Sequence, residues 1–134
     1  MTNKDQFESI FEMNSIAVVG MSPNPNRPSN YVAHYLKKNG FKIYPVNPAY
    51  QNLNNLKCYS SLIKISNRID IVNIFRNPKF VVPIVKDAIK IKAKVVWFQD
   101  GVINDKAINI AKNHNLKVII DDCMLRQHKN IYKD

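Results

Sequence analysis

Short apolar runs alternate along the chain with segments whose apolar residues repeat at helical spacing. Five of these runs have the length and the β-branched content of buried strands, and they cover residues 16–20, 41–46, 70–75, 94–98 and 117–120. Such an alternation is typical of βαβ units, which build a parallel sheet with helices on both faces. The pattern therefore predicts a single α/β domain over residues 1–134, with a doubly wound, five-stranded parallel sheet of the Rossmann-like class.

The segments between these runs predict the helices. A helix over about residues 5–13 has three apolar side chains at helical spacing, and we expect it to pack across the sheet. Further helices are predicted from the capping residue Ser29 to Gly40, from Pro78 to about residue 91, and over residues 105–113. Trp97, inside an apolar strand, is expected to lie in the core. Residues 49–66 show no clear pattern, and residues 121–134 are expected to form a polar tail.

Length and charge narrow the classes of function. The chain has 134 residues, and no stretch approaches the roughly 18 consecutive apolar residues of a membrane span. Because its first residues also lack the apolar run of a secretory signal, we expect a cytoplasmic protein without membrane contact. The formal charge of +10 comes from sixteen lysines and four arginines that are scattered along the sequence. This scatter predicts no nucleic-acid partner and at most a general attraction for anionic small molecules.

Unusual residues follow each predicted strand, at the edge where an open parallel sheet binds its ligands. The first loop runs from Gly20 to Ser29, and its backbone N–H groups together with the next helix N-terminus favour an anion. Arg27 would add a positive charge to this loop. Arg76, beside Phe75, is a second cation at the same edge, and it is either a phosphate ligand or a partner in a surface ion pair.

Two features argue against an ordinary NAD site. Only Gly20 of the fingerprint G-x-G-x-x-G is present, and a tight turn would explain a lone glycine equally well. Asn47 stands at the end of the second strand, where NAD enzymes commonly carry an acidic residue. An amide with Lys42 nearby would tolerate a phosphorylated ribose better than a carboxylate would. The pattern therefore favours CoA or NADP over NAD.

A more specific resemblance is carried by residues 18–29, 44–48, 70–76, 96–102 and 120–123 with His128. In order and spacing, these segments resemble the small stand-alone CoA-binding domain family, which shares its Rossmann-like fold with the nucleotide-binding part of succinyl-CoA synthetase. The resemblance implies binding of coenzyme A or an acyl-CoA, without an assigned reaction. The cofactor-binding residues that it implies are Gly20, Met21, Ser22, Arg27, Ser29, Asn47, Pro48, Phe75, Arg76, Gln99 and Gly101.

The last motif departs from the family pattern, which usually reads Asp-Arg-Cys and ends in Glu-His. Here Asp122 replaces the arginine and Gln127 replaces the glutamate. Cys123, His128 and Asp121 would make a nucleophile, a base and an orienting group only if the fold brought them together, which closeness in sequence does not establish. We therefore expect no catalytic residues, and the dispersed histidines and cysteines predict no metal site.

Three kinds of function stay open. A CoA-binding module fits the missing glycines and Asn47 best. An NAD(P)-dependent enzyme or redox sensor would need a substrate domain or an acid–base pair, for which the chain leaves little room. The third kind is a partner-binding domain with a vestigial nucleotide pocket. A protein partner or a homodimer is compatible with all three.

Overall fold

The computed structural model describes residues 3–132. In chain order, its helices and strands are α1 (Asn3–Phe11), β1 (Ser15–Val19), α2 (Pro28–Lys38), β2 (Lys42–Val46), β3 (Asn52–Leu53), β4 (Leu56–Lys57), β5 (Ile71–Ile74), α3 (Val81–Lys90), β6 (Val95–Phe98), α4 (Asp105–Asn113), β7 (Lys117–Ile119) and α5 (Met124–Tyr132). None of these helices combines the length and the apolar character that a membrane span requires.

The main sheet has five parallel strands in the order β2-β1-β5-β6-β7. Each strand begins and ends within one residue of its predicted bounds, and the Rossmann-like five-stranded prediction is confirmed. The three central strands, β1, β5 and β6, are buried along their whole length. That burial explains why they appear in the sequence as continuous apolar runs. The strand order reverses between β1 and β5, so the ligand crevice of such a sheet is expected above these two strands.

Helices cover both faces of the sheet. On one face α1, α2 and α5 pack over a core that contains Trp97. The ring centroid of Trp97 lies 5.5 Å from that of Phe7 and 5.9 Å from that of Phe11. This confirms that α1 packs across the sheet and that Trp97 is a core residue. On the other face α3 and α4 bury an aliphatic core that includes Val85 and Ala111.

The predicted polar tail over residues 121–134 is wrong, because residues 124–132 of it form the helix α5. Met124 and His128 of this helix are buried, and Ile131 packs against the same core. Their spacing of four and then three residues is the helical signal in this segment. The stripe is narrow and the rest of the segment is polar, which hides the helix in a simple hydrophobicity pattern.

Residues 49–66 also contain structure that the pattern did not indicate. β3 and β4 form a two-stranded antiparallel hairpin, whose turn residues Asn54 and Asn55 have φ angles of 49° and 63°. Asparagine tolerates this left-handed conformation, which two-residue hairpin turns require. Tyr59 then pairs with Val46 at the end of β2. With only two residues in each strand, no periodicity is visible in the sequence.

Two helix starts differ from the prediction. Helix α2 begins at Pro28, and Ser29 is not its cap, because the Ser29 hydroxyl accepts a hydrogen bond from the Ser22 backbone N–H at 2.8 Å instead. Helix α3 begins at Val81, because Pro78–Phe80 forms a separate 3₁₀ turn whose cap is Asn77.

Candidate nucleotide-binding site

Two cavities meet above β1 and β5, and Gly20 and Arg76 line both of them. The apolar cavity has a volume of about 260 Å³ and is lined by Val19, Gly20, Val46, Pro48, Ser60, Ser61, Leu62, Arg76, Phe80, Ile84 and Asp87. The polar cavity has a volume of about 470 Å³ and is lined by Gly20, Ser22, Arg27, Pro28, Ser29, Tyr31, Phe75, Arg76, Gln99, Asp100, Val102 and Cys123. The loops after β1, β5 and β6 thus contribute to one joined crevice.

Gly20 is required where the loops after β1 and β5 approach each other. Its φ angle is +86°, and a Cβ atom built on it would lie 2.8 Å from the carbonyl oxygen of Phe75 and 3.0 Å from Cδ of Arg76. Its N–H donates to the carbonyl oxygen of Val46 at 2.8 Å. A side chain at this position would therefore both strain the backbone and push Arg76 away from the crevice.

The loop after β1 is shaped by its own polar side chains. The Ser22 hydroxyl accepts a hydrogen bond from the Asn24 N–H at 3.0 Å, and the Asn30 side chain donates to the Ser22 carbonyl at 2.8 Å. Ser29 holds the same loop through the Ser22 N–H. Since a hydroxyl that accepts one hydrogen bond still has its proton to donate, Ser29 shapes the loop and also offers a donor to the polar cavity.

The N-terminus of α2 and the adjacent Arg27 make this end of the loop electropositive. The first turn of α2 carries no acidic residue, and Arg27 precedes it without a side-chain cap, so the helix dipole and the guanidinium both favour an anion there. Within residues 3–132, neither Arg27 nor Arg76 lies within ion-pairing distance of a carboxylate. The guanidinium carbon of Arg76 instead lies 5.1 Å from the centroid of the Phe80 ring. The surface ion pair that was the alternative for Arg76 is therefore absent from the part of the chain that the structure describes.

Asn47 and Pro48 follow β2 and have different roles. The Asn47 amide donates to the carbonyl oxygen of Met21 at 2.9 Å and accepts from the Ala49 N–H at 2.9 Å. Both ends of this amide are thus engaged within the protein, where they tie the loop after β2 to the loop after β1. Pro48 lines the apolar cavity. Asn47 therefore positions the site, and Pro48 forms part of its wall.

Of three further residues, Met21 and Lys42 lie differently from the sequence-based expectations, and Gln99 lines the polar cavity. The Met21 side chain is 1% exposed and packs in the core, which leaves only its backbone near the loop. Gln99 is buried, and its side-chain oxygen accepts from the Met124 N–H at 3.1 Å at the start of α5. Lys42 stands at the first position of β2, on the opposite edge of the sheet from the crevice. The expectation that Lys42 stands near a phosphorylated ribose is therefore wrong.

The loop after β6 lines the polar cavity through Gln99 and Asp100, and an ion pair joins this loop to α5. Arg126 makes two parallel hydrogen bonds to Asp100, at 2.9 and 3.0 Å, and a third to Asp122 at 2.8 Å. The hydrogen bond from Arg126 lowers the pKa of the Asp100 carboxyl. Gly101, whose N–H donates to Asp121 at 2.8 Å, lies outside both cavities.

The two departures from the family pattern contact each other. The Gln127 amide donates to both carboxylate oxygens of Asp122, at 3.1 and 3.0 Å. A hydrogen-bonded pair thus joins the same two positions where the family usually has arginine and glutamate. In the family pattern the first position carries an arginine, a donor, and the second a glutamate, an acceptor. In this chain the first position, Asp122, accepts and the second, Gln127, donates.

The three residues that would have formed a nucleophile, a base and an orienting group have separate environments. Cys123 lines the polar cavity, although the set of site residues predicted from the sequence did not include this cysteine. His128 is buried among aromatic rings, and its Nδ1 is hydrogen bonded to the Tyr35 hydroxyl at 2.7 Å. Burial lowers the pKa of the His128 imidazole. The Asp121 carboxylate accepts a hydrogen bond from the Gly101 N–H. The candidate base His128 and the candidate orienting group Asp121 therefore each have a hydrogen-bond partner other than Cys123.

The crevice lies at the strand-order reversal, its first loop depends on a glycine, and Arg27 and Arg76 line it without an ion pair within residues 3–132. These are features of a nucleotide-binding α/β domain. The chain belongs to the CoA binding domain family, whose model matches residues 14–129. This membership confirms the resemblance inferred from the sequence motifs.

Relatives of similar size share the sequence and the fold. The uncharacterized protein YneT of Bacillus subtilis is 36% identical over 113 residues, which are 84% of each chain. The solved structure of a hypothetical protein from Pyrococcus horikoshii is 37% identical and superposes with a TM-score of 0.94, over 97% of this chain and 92% of the other.

The chain is also homologous to a region of a larger enzyme. The ADP-forming acetate–CoA ligase of Methanocaldococcus jannaschii is 30% identical over 128 residues. The match covers 87% of this chain but only 18% of the ligase. The similarity therefore concerns one region of that ligase.

Proposed function

We propose that this protein binds coenzyme A or an acyl-CoA in the joined cavities and has no reaction of its own. The adenosine part occupies the apolar cavity, and the pyrophosphate lies over Gly20 and Arg76. The observation that carries the proposal is that these two residues line both cavities. A ligand with a ring at one end and phosphates in its middle matches this arrangement.

The apolar cavity suits a base ring. Pro48, Leu62 and Phe80 contribute apolar surfaces to it, and such surfaces favour a flat, weakly polar group over a charged one. Phe80 is 47% exposed, so a ring that covers it would remove apolar surface from water.

The polar cavity suits the phosphates. The start of α2, Arg27 and Arg76 supply positive potential there, and neither arginine forms an ion pair with a described carboxylate. Asp100, which also lines this cavity, is paired with Arg126. A Cβ atom on Gly20 would collide with the Phe75 carbonyl and the Arg76 side chain, so the glycine lets Arg76 lie against the loop after β1 and line the polar cavity. These residues therefore fit the phosphate part of the proposed cofactor.

CoA is preferred to NAD on two grounds. The loop after β1 has one glycine instead of three, and β2 is followed by an amide instead of the carboxylate that accepts from an NAD ribose. The family membership and the homology to a region of a CoA ligase support the same choice. The absence of a reaction is inferred from Cys123, whose supposed helpers Asp121 and His128 each have another partner.

Calorimetric titration of the purified protein with CoA and with NAD tests the proposal. We expect CoA to bind more tightly, and native mass spectrometry of the freshly purified protein should detect a bound CoA species. Tighter binding of NAD would contradict the proposal.

A pair of arginine variants locates the site. Arg76→Ala should weaken CoA binding about ten- to a hundred-fold, because a charge-assisted contact is worth about 1.5–3 kcal/mol. Arg68→Ala is the matched control, since Arg68 is exposed at the opposite edge of the sheet, beside Asp70. An equal loss in both variants would mean that overall charge, and not the crevice, attracts the ligand.

A further inference from the structure

We propose that Lys57 and Lys64 form a subsite for a phosphate monoester beside the apolar cavity, and that this subsite binds the 3′-phosphate of CoA. The inference rests on the proposed function and deepens it, because it identifies the residues that distinguish CoA from nucleotides without this phosphate.

The first support is position. A third cavity, of about 710 Å³, contains both lysines and shares Pro48 and Ser60 with the apolar cavity. We call it the lysine cavity. An adenosine bound in the apolar cavity has its ribose near the rim, and a phosphate on that ribose would reach across Pro48 and Ser60 into the lysine cavity.

The second support is charge. No acidic residue lines the lysine cavity, and the sequence contains no Asp or Glu from Met13 to Ile69. Among the residues that the structure describes, neither Lys57 nor Lys64 forms an ion pair. The potential of the two ammonium groups is thus not cancelled locally, which favours a dianionic monoester over a neutral ribose hydroxyl.

The third support is the way in which Lys57 is held. Its backbone ends the β3–β4 hairpin, and Tyr59, two residues later, is bonded through its backbone to the segment around the end of β2. The Tyr59 N–H donates to the carbonyl of Pro45, and the Asn47 N–H donates to the carbonyl of Tyr59, both at 2.9 Å. The Lys57 ammonium lies 5.1 Å from the centroid of the Tyr59 ring, which restrains it beside the cavity. Lys64 belongs to the short 3₁₀ helix Leu62–Lys64.

Hydroxyl groups complete the subsite. Tyr50 and Ser60 both line the lysine cavity and can donate hydrogen bonds to phosphate oxygens. Lysine is well suited to this contact, because its ammonium acts as a point charge toward a terminal phosphate.

The test compares CoA with dephospho-CoA, which differs only by the 3′-phosphate, in titrations at one fixed ionic strength. We expect the native protein to bind CoA about ten- to a hundred-fold more tightly. In the double variant Lys57→Gln/Lys64→Gln this ratio should fall to about one, while the affinity for dephospho-CoA stays as in the native protein. Lys42→Gln, at the opposite edge of the sheet, is the matched control and should keep the native ratio.

The outcomes separate the subsite from the proposed function. Equal affinity of the native protein for both ligands would overturn the subsite and leave CoA binding standing, whereas binding of neither ligand would overturn both. A double variant that keeps the native ratio would overturn the assignment to these lysines. A parallel loss for both ligands would also overturn it, because the lysines would then act through general charge or through the fold. Thermal unfolding without ligand verifies that each variant is folded.

Discussion

The amino ends and the carboxyl ends of the parallel strands, here called the amino edge and the carboxyl edge of the sheet, differ in how their charged side chains are paired. At the amino edge, the Asp70 carboxylate accepts hydrogen bonds from the N–H groups of Asn14 and Ser15 and from the Ser15 hydroxyl, at 3.1 to 3.3 Å. Arg68 and Lys94 lie 3.5 and 3.9 Å from its other oxygen. At the carboxyl edge, the arginines and lysines of the proposed site have no carboxylate partner among the described residues.

This difference distinguishes groups that hold the fold from groups available to a ligand. Asp70 has a side chain only 12% exposed and joins the starts of β1 and β5. A buried charge is tolerated only when its neighbours satisfy it, as they do here. An exposed arginine needs no partner in the free protein because water solvates it, and it can therefore pair with a phosphate.

The largest expected effect is on stability at the amino edge. Asp70→Ala should lower the free energy of unfolding by about 3 kcal/mol, because it leaves the donors of Asn14 and Ser15 without their acceptor. Urea denaturation measures this loss. The CoA affinity of the folded protein should stay unchanged, and an affinity that fell with the stability would contradict the separation of the two edges.

The same carboxylate predicts a dependence of stability on pH. Burial alone would raise the pKa of Asp70, but the hydrogen bonds from Asn14 and Ser15 and the charge of Lys94 outweigh it, and the pKa is lowered. The unfolded state then binds the proton more readily, so stability is fully present above about pH 4 and is lost as the pH falls through the folded-state pKa. Acid titrations of unfolding should show a weaker decline in Asp70→Asn than in the native protein.

The next effect is on binding at the carboxyl edge. Arg27→Ala should weaken CoA binding by about 2 kcal/mol, which is roughly thirty-fold, through loss of a charge-assisted contact. Without ligand, its free energy of unfolding should change by less than about 0.5 kcal/mol, since the side chain is exposed. A large drop in thermal stability with intact CoA affinity would reverse the roles assigned to the two edges.

A smaller effect is expected from Arg126, which is an exception at the carboxyl edge because it is paired. Both Arg126 and Asp100 are about half exposed, and exposed ion pairs contribute about 0.2–1 kcal/mol. Arg126→Ala should therefore lower the free energy of unfolding by no more than about 1 kcal/mol, and high salt should reduce the difference. Urea titrations at low and high salt measure both effects.

The subtlest expected effect concerns His128. Its pKa is lowered by burial, so the unfolded state binds a proton more readily, and stability should decline as the pH falls below about 6.5. His128→Phe keeps an aromatic ring next to Phe11 and Phe41 but removes the titrating group. The fall in unfolding free energy between pH 7 and pH 5 should be smaller in this variant than in the native protein. An identical fall in both would assign the effect to other groups.

Sequence patterns alone predicted the five strands, the first four helices and the edge of the sheet at which the candidate site lies. Strands such as β5 and β6 are buried on both faces, so their apolar runs stand out, and parallel strands bring all their carboxyl ends to one edge. Gly20, Arg27 and Arg76 could be selected for the same reason. The helix α5 and the β3–β4 hairpin were missed because a narrow apolar stripe and two-residue strands leave almost no periodic signal.

The tertiary contacts determine which residues of that edge line the same cavity. The loops after β1 and β5 approach each other at Gly20 and Arg76. The Asn47 amide forms hydrogen bonds within the protein, and Lys42 lies at the opposite edge of the sheet from the crevice. The tertiary contacts also bring Lys57 and Lys64 beside the apolar cavity, although neither follows a strand of the main sheet. Local sequence patterns record the periodicity of each element, whereas the order of strands and the packing of the hairpin against β2 depend on contacts between residues distant in the chain.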